Sequence, residues 1–391
     1  MNARGNPVLS APGASPAGAA SDGWARAQRG ILAAVAVLVA AVAVQAAPGG
    51  WRLAALFGVG ILLGVTLHQF SFGFTSAYRR WIVNGDTRGV RAQLLMLALA
   101  TLLFAPLLAA GEAFGYPLGG ANAPLGVQVV AGAFLFGIGM QLGGGCGSGT
   151  LYAAGGGSPR MLVVLAAFCA GSFWASLHMG WWQATPSWGE LALGELVGWG
   201  TAAGVQTAVL MAAFFLLRRR DSSRDAAGVD PLMIGGVALA LLNAATLILA
   251  GHPWSITWGY TLWGAKTAAT LGWQAADGFW TAPFQSAALA ANVLHDVTSL
   301  MDVGVLLGAA TSAALAGRFS PQWRIPPRSL AAALLGGVLM GYGARIAFGC
   351  NVGAFFSGVA STSLHGWLWI AAALAGCRIG VRLRPRFGLT N

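Results

Sequence analysis

The sequence predicts an all-α polytopic membrane protein, built as an inverted repeat of two halves with re-entrant, glycine-rich helices. Of its 391 residues, 57% are hydrophobic and 8% are charged, whereas soluble domains carry about 25% charged residues. Several apolar stretches reach the roughly 20 residues that span a bilayer. A glycine-cysteine motif also occurs twice, once in each half of the chain.

The repeated motif places one thiol in each half. Its copies are Gly137–Gly149 and Gly341–Gly353, and five positions (Gly, Gly, Gly, Cys, Gly) coincide at a constant offset of 204, the separation of Cys146 and Cys350. Coincidence explains this match poorly, because it includes two of only four cysteines. A duplicated membrane fold with a thiol on each glycine-rich break is typical of a transport site.

Arginine clusters indicate the topology of the apolar runs. Most of the arginines lie in short segments between these runs, as the positive-inside rule produces, so the net charge of +11 does not indicate nucleic-acid binding. The clusters are Arg26/Arg29, 79–91, Arg160, 218–224, 318–328 and 378–386. The apolar runs are 31–47, 53–77, 92–110, 126–145, 161–181, 194–217, 232–250, 254–272, 285–317, 329–350 and 364–377.

If every cluster is cytoplasmic, neighbouring clusters must be separated by an even number of crossings. The interval 225–317 holds three runs, so at least one of them must be broken or re-entrant, and both termini come out cytoplasmic. The run before Cys146 then descends from outside, and the run before Cys350 ascends from the cytoplasm. The two motifs therefore approach mid-membrane from opposite faces, which predicts an inverted repeat of about nine or ten spans plus re-entrant segments.

Four segments follow from this topology. We expect a disordered N-terminal tail at 1–29, a first membrane half at 30–217, a cytoplasmic hinge at 218–231 and a second membrane half at 232–386. The tail is rich in Ala, Gly, Ser and Pro without a packing pattern. Because the run 31–47 is long for a signal peptide and ends in an awkwardly placed proline, we interpret it as an uncleaved first span.

The glycines around each cysteine are too dense for a stable helix interior, so we expect helices to end near Cys146 and Cys350. Broken backbone at membrane depth must be buried or line a cavity, and its free N–H groups can bind an anion. A buried thiol stays protonated, and a neutral S–H is a weak donor that does not repel an anion. The alternative is packing as small hydrophobes, the role predicted for Cys169 and Cys377.

Two basic residues are further candidates. Arg345 lies five residues before Cys350, where the first copy has Gln141. A charged residue near membrane depth usually faces a cavity, so we expect Arg345 to attract anions on the cytoplasmic side of Cys350; the alternative is a side chain that snorkels to the inner face. Lys266, the only lysine, ends a tryptophan-rich segment and is interpreted mainly as an anchor at the edge of an interfacial belt.

Four polar residues in or beside apolar runs raise the question of a proton relay or a metal site. They are His68, His295, Asp296 and Asp302. No pair among them shows metal-ligand spacing with a matched partner. The sequence therefore predicts no metal and no cofactor.

With these motifs the chain resembles the YeeE/YedE family of sulfur-transport membrane proteins, which includes bacterial thiosulfate-uptake transporters. The resemblance covers about residues 50–385. It is carried by Gly-Gly-Cys146-Gly-Ser-Gly-Thr, by Gly-Ala-Arg345-Ile-Ala-Phe-Gly-Cys350-Asn-Val-Gly-Ala-Phe-Phe-Ser-Gly and by Trp-Gly-Tyr-Thr-Leu-Trp-Gly-Ala-Lys266. It implies an hourglass of re-entrant helices, in which thiosulfate passes by hydrogen bonding along a short series of cysteines that includes Cys146 and Cys350.

A third family position departs from the pattern. The family's usual first thiol lies on the early hairpin, and the matching stretch here is His68-Gln-Phe-Ser-Phe-Gly73-Phe-Thr-Ser-Ala-Tyr-Arg79, with Gly73 where a cysteine is expected. The series of thiols thus has one cysteine fewer than is usual in the family, so the substrate can be another small sulfur or selenium species. A small sulfur-carrier protein often partners the family on the cytoplasmic side, and we expect no such domain fused within this chain.

The sequence thus predicts a multi-pass transporter of the bacterial inner membrane that imports a small sulfur-containing anion, thiosulfate or a related species. It has no nucleotide-binding loop and is not predicted to be an enzyme. The expected substrate path comprises Cys146, Cys350, Gly145, Gly349, Gln141, Arg345, Asn351, Gly73 and Lys266.

Two other functions remain open. A membrane-embedded sulfurtransferase or thiol redox protein would need a reactive thiolate beside a base or cation, and none lies within a few residues of Cys146. The second alternative function is that of a structural subunit of a larger transport complex. The presence of a duplicated thiol path in one chain argues against it.

The arginine pattern makes a prediction about topology. A fluorescent reporter that matures only in the cytoplasm should be active when fused after Asn391, because the last arginine cluster is expected inside. The same reporter inserted in the 181–190 loop should be dark, and a periplasmic phosphatase should give the opposite pattern. Phosphatase activity from the Asn391 fusion would contradict the parity argument.

Overall fold

The computed structural model describes residues 28–221, 230–276 and 278–391. The predicted tail, except for its last two residues, and residues 222–229 of the predicted hinge lie outside the described residues. Within the described ranges the chain is helical, with two short antiparallel pairs of strands.

The helices and strands follow one another with short connections. In chain order the α-helices are α1 (Arg29–Ala46), α2 (Gly50–Gln69), α3 (Phe74–Asn84), α4 (Arg88–Ala110), α5 (Val127–Gly143), α6 (Gly147–Gly155), α7 (Pro159–Ser176), α8 (Met179–Gln183), α9 (Leu193–Val197), α10 (Trp199–Arg220), α11 (Pro231–Ala250), α12 (Thr257–Thr270), α13 (Pro283–Ala290), α14 (Val297–Leu315), α15 (Pro327–Ile346), α16 (Ser357–Ala360) and α17 (Leu364–Leu383). A π-helix, Asn351–Phe356, runs directly into α16. Strand β1 (Glu112–Ala113) pairs with β2 (Tyr116–Pro117), and β3 (Pro124–Gly126) pairs with β4 (Ser187–Glu190).

Nine helical stretches within the described ranges are long and apolar enough to cross a membrane. The first, Arg29–Asn84, has 56 residues and contains α1, α2 and α3, with a 3₁₀ turn at Ala47–Gly49 between α1 and α2. The run predicted at 254–272 yields only the 14-residue α12, too short to span a bilayer of about 30 Å. The chain is therefore a multi-pass membrane protein, as predicted, and α12 is shorter than the apolar run predicted there.

The second part of each half matches at the offset of the cysteine motif. Helices α4 to α7 correspond to α14, α15, the π-helix with α16, and α17, to within a few residues at their ends. The matched helices α5 and α15 run antiparallel. A Cβ added to Gly132 would meet the carbonyl oxygen of Gly343, and one added to Gly139 would meet that of Gly336.

Each of these two central helices also packs in parallel against a helix of the other half. On α17, a Cβ added to Gly376 would meet the carbonyl of Phe134 in α5, and one added to Gly380 that of Ile138 one turn later. Helix α7 packs on α15 in the same parallel sense. The outer helices exchange partners similarly: α1 and α2 pack on α14, and α10 and α11 pack on α4.

The main hydrophobic cluster forms around these central helices. It includes both Cys146 and Cys350. Three buried aromatic rings, Phe136, Phe168 and Tyr260, line it in edge-to-face contact, with 4.7 Å between the ring centres of Phe168 and Tyr260. Both repeated thiols therefore lie in the middle of the fold, away from its surface.

Candidate functional site

The first helix break carries Cys146. Helix α5 ends at Gly143, and Gly144 adopts a left-handed conformation with φ of 86°, which glycine accepts without strain. Cys146 is extended, and α6 begins directly after it. Its sulfur accepts a hydrogen bond from the Gly149 N–H at 3.4 Å, and its carbonyl oxygen accepts one from the Thr150 hydroxyl at 2.8 Å. The thiol therefore caps the N-terminus of α6.

The second break repeats this arrangement at Cys350. Helix α15 ends at Ile346, and Phe348 and Gly349 have φ values of 60° and 151°. Cys350 is extended, like Cys146, and its sulfur accepts a hydrogen bond from the Val352 N–H at 3.4 Å. Both helices thus end near the cysteines, as predicted, and both sulfurs sit at the start of the next helix.

The position directly before each cysteine is glycine for the same reason, which is close packing against the following helical turn. A Cβ added to Gly145 would lie 3.1 Å from the backbone of Gly149 and Thr150. A Cβ added to Gly349 would lie 2.7 Å from the backbone nitrogen of Ala354. At both breaks the chain folds so tightly over the following helical turn that a side chain has no room.

The two breaks touch each other. A Cβ added to Gly147, the residue after Cys146, would lie 2.9 Å from the Cys350 sulfur. The Tyr260 hydroxyl donates a 2.9 Å hydrogen bond to the Gly147 carbonyl oxygen. Cys146 and Cys350 are 1% and 0% exposed, so both thiols lie at one buried junction between the repeats.

Asn351 occupies the position in the second break that Gly147 has in the first. Its side-chain amide lies 3.5 Å from the Tyr78 hydroxyl of α3. Its Oδ1 is buried without a hydrogen-bond partner in the described part of the chain. An unpaired buried amide oxygen costs free energy, so this atom can accept a hydrogen bond beside Cys350.

Gln141 lies in the last turn of α5 and joins the first break to the early hairpin. Its side-chain amide donates to the Thr75 carbonyl oxygen at 3.2 Å, in the first turn of α3. Its own backbone carbonyl accepts a 2.6 Å hydrogen bond from Arg384. Gln141 therefore positions the break, and its side-chain Oε1 is also buried without a partner among the described residues.

Gly73 precedes α3 in an extended conformation, with φ of −119°, which any residue adopts. A Cβ here would lie 2.8 Å from the Ser76 hydroxyl oxygen and 3.3 Å from the Tyr152 hydroxyl oxygen of α6. To admit one, the Ser76 side chain would have to rotate away from its 3.0 Å hydrogen bond to the Gly73 carbonyl oxygen, and the Tyr152 hydroxyl would have to shift slightly. Gly73 therefore lies close to the helix that follows Cys146, and its backbone does not require glycine.

A small cavity opens beside Gly73. Its lining includes Ser71, Ser76, Arg80, Asp86 and Gln93. Hydrogen bonds from Arg88, at 3.0 and 3.1 Å, hold the pKa of the Asp86 carboxyl below its usual range. Asp86 is thus paired with Arg88, which leaves the positive charge of Arg80 facing the cavity.

The two basic candidates contact segments outside the breaks. The Arg345 guanidinium lies over the Phe279 ring, 5.1 Å from its centre, a cation–π contact. The Lys266 ammonium donates to the carbonyl oxygens of Leu289 and Ala291, at 2.7 and 2.6 Å, at the C-terminal end of α13. These bonds fit the anchoring interpretation of Lys266. An anion-attracting role of Arg345 on the cytoplasmic side stays a prediction.

A second cavity, of about 180 Å³, reaches the other side of the Cys350 break. Its lining includes Asn122, His252, Trp254, Ser255, Phe348, Gly353 and His365. Phe348 and Gly353 belong to the break itself, and the His365 ring bonds the Ser363 hydroxyl at 2.8 Å. The sequence analysis did not predict this cavity, because four segments that are distant in the sequence contribute its lining. The signal that could have indicated it was the presence of polar residues beside the predicted external ends of the spans.

The remaining cysteines have packing contacts. A Cβ added to Gly264 would lie 2.5 Å from the Cys169 carbonyl oxygen, and one added to Gly137 would lie 3.0 Å from the Cys377 nitrogen. Both residues thus lie at helix crossings. Across residues 28–221, 230–276 and 278–391, no cluster of three His, Cys, Asp or Glu side chains is suited to a metal ion.

The sequence is similar to proteins of known family. The family model described as "Sulphur transport" matches residues 70–379. Over 331 residues the chain is 30% identical to the thiosulfate transporter TsuA of Spirochaeta thermophila, covering 79% of this chain and 92% of that protein. Over 339 residues it is 24% identical to TsuA of Escherichia coli, covering 81% and 90%. The probable transporter YedE of Escherichia coli is 30% identical over 149 residues, which cover 37% of this chain and 36% of that protein.

The family match spans most of the chain, including both cysteine breaks and the Gly73 segment. It confirms the resemblance inferred from the motifs. The chain belongs to the sulphur transport family, the YeeE/YedE family of membrane transporters.

Proposed function

We propose that this chain imports thiosulfate, or a related small sulfur-containing anion, across the bacterial inner membrane along a path lined by Cys350 and Cys146. One observation carries the proposal: the Cys350 sulfur packs on Gly147, the residue after Cys146, so the two thiols share one constriction. Membership of the sulphur transport family and two relatives named thiosulfate transporters support the substrate class.

The two cavities suggest the order of the path. The anion enters the cavity between Asn122 and His365, which reaches Gly353 beside Cys350. It passes the two thiols and leaves past Tyr152 and Gly73 toward Arg80. Asn351 and Gln141, each with a buried unpaired oxygen, would flank the constriction.

The chemistry of the constriction suits a passing anion. A neutral thiol donates weakly and adds no charge. Helix α6 and the π-helix each begin at one of the two thiols, and such helix starts favour negative charge. Conduction needs contacts that are weak enough to release the ion. Weak donors at the constriction, with the cationic Arg80 only beyond it, therefore favour passage of the anion over trapping.

We also propose that the two halves form an inverted repeat whose broken helices are re-entrant, with both termini cytoplasmic. The antiparallel crossing of the matched helices α5 and α15 supports this. The exchange of partners, α1 on α14 and α11 on α4, supports it too, because α1 and α11 coincide at the same offset of 204 as the cysteines. We therefore place the boundary between the halves at the hinge 218–231.

The geometry favours transport over the other two functions. A sulfurtransferase needs a thiolate that a partner can reach, but Cys146 and Cys350 are buried, and their hydrogen-bond partners are Ser148, Gly149 and Val352 rather than a base or cation. A purely structural subunit has no need of two buried thiols on facing breaks. A small sulfur-carrier protein at the cytoplasmic exit remains part of the proposal. Uptake of labelled thiosulfate, sulfite, sulfate and selenite by proteoliposomes is the direct test.

The thiol path predicts a sharp division among the four cysteines. Cys146→Ala or Cys350→Ala should lower thiosulfate uptake about two- to tenfold, since the weak hydrogen bond that is lost is worth about 0.5–1.5 kcal/mol. Cys169→Ala and Cys377→Ala, which change helix-crossing residues, should retain most uptake. Serine at 146 or 350 keeps a donor and should recover part of it. Equal losses in all four alanine variants, at equal amounts of folded protein, would favour a packing role instead.

The contact between the breaks predicts different effects at neighbouring glycines. Gly147→Ala places a methyl group 2.9 Å from the Cys350 sulfur, and such overpacking costs about 1–3 kcal/mol. We expect lower uptake and a lower thermal unfolding midpoint. Gly149→Ala is the matched control, because its methyl group would meet only the Cys146 sulfur at an ordinary 3.5 Å. Similar uptake and midpoints in both variants would contradict the proposed contact.

Gly73→Cys should restore the donor that the family pattern has at this position. The substitution fits once the Ser76 hydroxyl rotates, and it should raise selectivity for thiosulfate over sulfate, because sulfate has no terminal sulfur for the added S–H. One weak hydrogen bond of about 0.5–1.5 kcal/mol corresponds to roughly two- to tenfold. Gly73→Ala controls for volume. Uptake with both anions in competition measures the ratio of thiosulfate to sulfate transport. An unchanged ratio in a folded Gly73→Cys variant would show that Gly73 does not line the path.

A further inference from the structure

Asp302 is a buried acid that the thiol path does not use. It lies in the second turn of α14, it is 0% exposed, and neither of its carboxyl oxygens has a hydrogen-bond partner within the described ranges. A charged carboxylate without a partner is very costly to bury. Ionisable groups within a membrane are rare and usually belong to ion or proton pathways.

The carboxyl group lies against the start of α12. A Cβ added to Gly259 would lie 2.7 Å from Oδ2 of Asp302, so the glycine makes the space that the carboxyl occupies. Gly259 is the third residue of α12, whose N-terminal turn carries partial positive charge. The protonated, neutral carboxyl group can occupy this position without a partner. The charged carboxylate would be attracted toward the N-terminal turn of α12.

Two polar residues precede Asp302 on the same side of α14 and bind α12. Asp296, Ser299 and Asp302 follow at intervals of three, on the side of α14 that faces α12. Trp258 donates to the Asp296 carboxylate at 2.9 Å, and Trp263 donates to the Ser299 hydroxyl at 3.0 Å. These bonds fix α14 against α12, and Asp302 lies one turn further along the same side without a side-chain hydrogen bond of its own among the described residues.

The first turn of α12 also contacts the thiol junction. Tyr260 follows Gly259 directly, and its hydroxyl donates to the Gly147 carbonyl oxygen at 2.9 Å. A Cβ added to Gly147 would lie 3.6 Å from Cγ2 of Ile256, which precedes α12. One helical turn therefore has Asp302 on one side and the Cys146 break on the other.

Four other titratable groups in the described part of the chain interact with Asp302 electrostatically. They are Asp296, Tyr260, Cys169 and Cys350. Tyrosine and cysteine are ordinarily protonated near neutral pH, and Asp296 accepts hydrogen bonds from the Trp258 indole N–H and from the Ser299 backbone N–H.

The other elements packed on α14 carry their charges at its ends. On α2, Gly60 lies at the level of Met301, while His68 bonds Ser312 at the opposite end of α14 and Arg52 bonds the carbonyl oxygen of Leu249. Gln28, which precedes Arg29 of α1, bonds Ala314 at that same far end of α14. His295 precedes α14 and lies 3.3 Å from the Gln45 carbonyl oxygen, and Tyr152 of α6 faces Gly73.

We propose that Asp302 carries a proton during the transport cycle and so couples anion import to proton import. The inference rests on the proposed function. Asp302 takes up one proton from the outer side and releases it to the cytoplasm, and it returns to its starting state after each turnover. Loss of the proton charges the group facing the α12 turn, and the resulting movement of that turn reaches Gly147 and the thiol junction.

The test uses the purified full chain in liposomes with the membrane potential clamped at zero. With the lumen one pH unit more alkaline than outside, wild type should accumulate labelled thiosulfate about tenfold at steady state, because one pH unit is a tenfold proton ratio. Asp302→Asn should still equilibrate thiosulfate but should accumulate it to a ratio of about one. Asp296→Asn, which keeps the helix cap, is the matched control and should accumulate like wild type.

The outcomes separate the two proposals. Absence of downhill thiosulfate uptake by wild type would defeat the proposed function. Downhill uptake without gradient-driven accumulation by wild type would defeat only the coupling. Accumulation by Asp302→Asn at the wild-type ratio would also overturn it, and so would a folded Asp302→Asn variant that neither accumulates nor equilibrates thiosulfate, since Asp302 would then belong to the path itself. If Asp302→Asn does not fold, the smaller Asp302→Ser gives the same readout.

An infrared measurement tests the protonated carboxyl without transport. Near neutral pH the wild type should show the carbonyl band of a buried carboxylic acid, shifted in heavy water, and Asp302→Asn should lack it. Asp296→Asn should retain the band. Its absence from wild type would contradict the proposal.

Discussion

The close approach of α5 and α15 at glycines is the constraint on which the central site depends. A Cβ would lie 2.5 Å from the Gly343 oxygen if added to Gly132, and 2.8 Å from the Gly336 oxygen if added to Gly139. Lipid tails are as apolar as leucine, so helices in a bilayer associate through tight packing at small residues rather than through a hydrophobic drive. Any side chain at these crossings would push the two helices apart. Because each helix ends at a cysteine break, separating the helices would also separate the two thiols.

At the ends of the two broken helices, the carbonyl groups without a partner inside the helix accept hydrogen bonds from different groups. At the end of α5, Arg384 donates to the Gln141 oxygen at 2.6 Å and Arg160 donates to the Leu142 oxygen at 2.9 Å. At the end of α15, the chain closes on itself through a 2.8 Å bond from the Gly349 N–H to the Ala344 oxygen. The first break also has a 2.9 Å bond from the Gly144 N–H to the Met140 oxygen, but two arginines tie it in addition to the start of α7 and the end of α17. The second break is therefore the one that depends more on its own backbone.

The sequence predicted the parts of the site that depend on local chemistry. Dense glycines with a cysteine indicated where the helices end, and the structure has both ends there. What it did not predict are contacts between distant segments. The bond from Tyr260 to Gly147 joins residues 113 apart, and the Phe279 ring under Arg345 comes from a separate connection. Arg160 and Arg384 served the sequence argument only as topology markers, because nothing in a charge pattern reveals which carbonyl groups an arginine will cap.

Among the described residues, the hydrogen-bond partners of the two thiols are uncharged, and the proposed path gives this a physical reason. An anion next to a fixed cation, at about 4 Å and an effective dielectric of about 20, gains about 4 kcal/mol, enough to slow its release by roughly three orders of magnitude. Import of a dianion into a negative interior also costs about 2.3 kcal/mol per charge for every 100 mV. In the proposed path, weak S–H donors and helix starts would lower the barrier without creating a trap, but they would supply no driving force. Net import along that path would need an energy source outside the constriction. The proposed proton transfer by Asp302, or a carrier that removes the product, would therefore matter more to direction than the thiols.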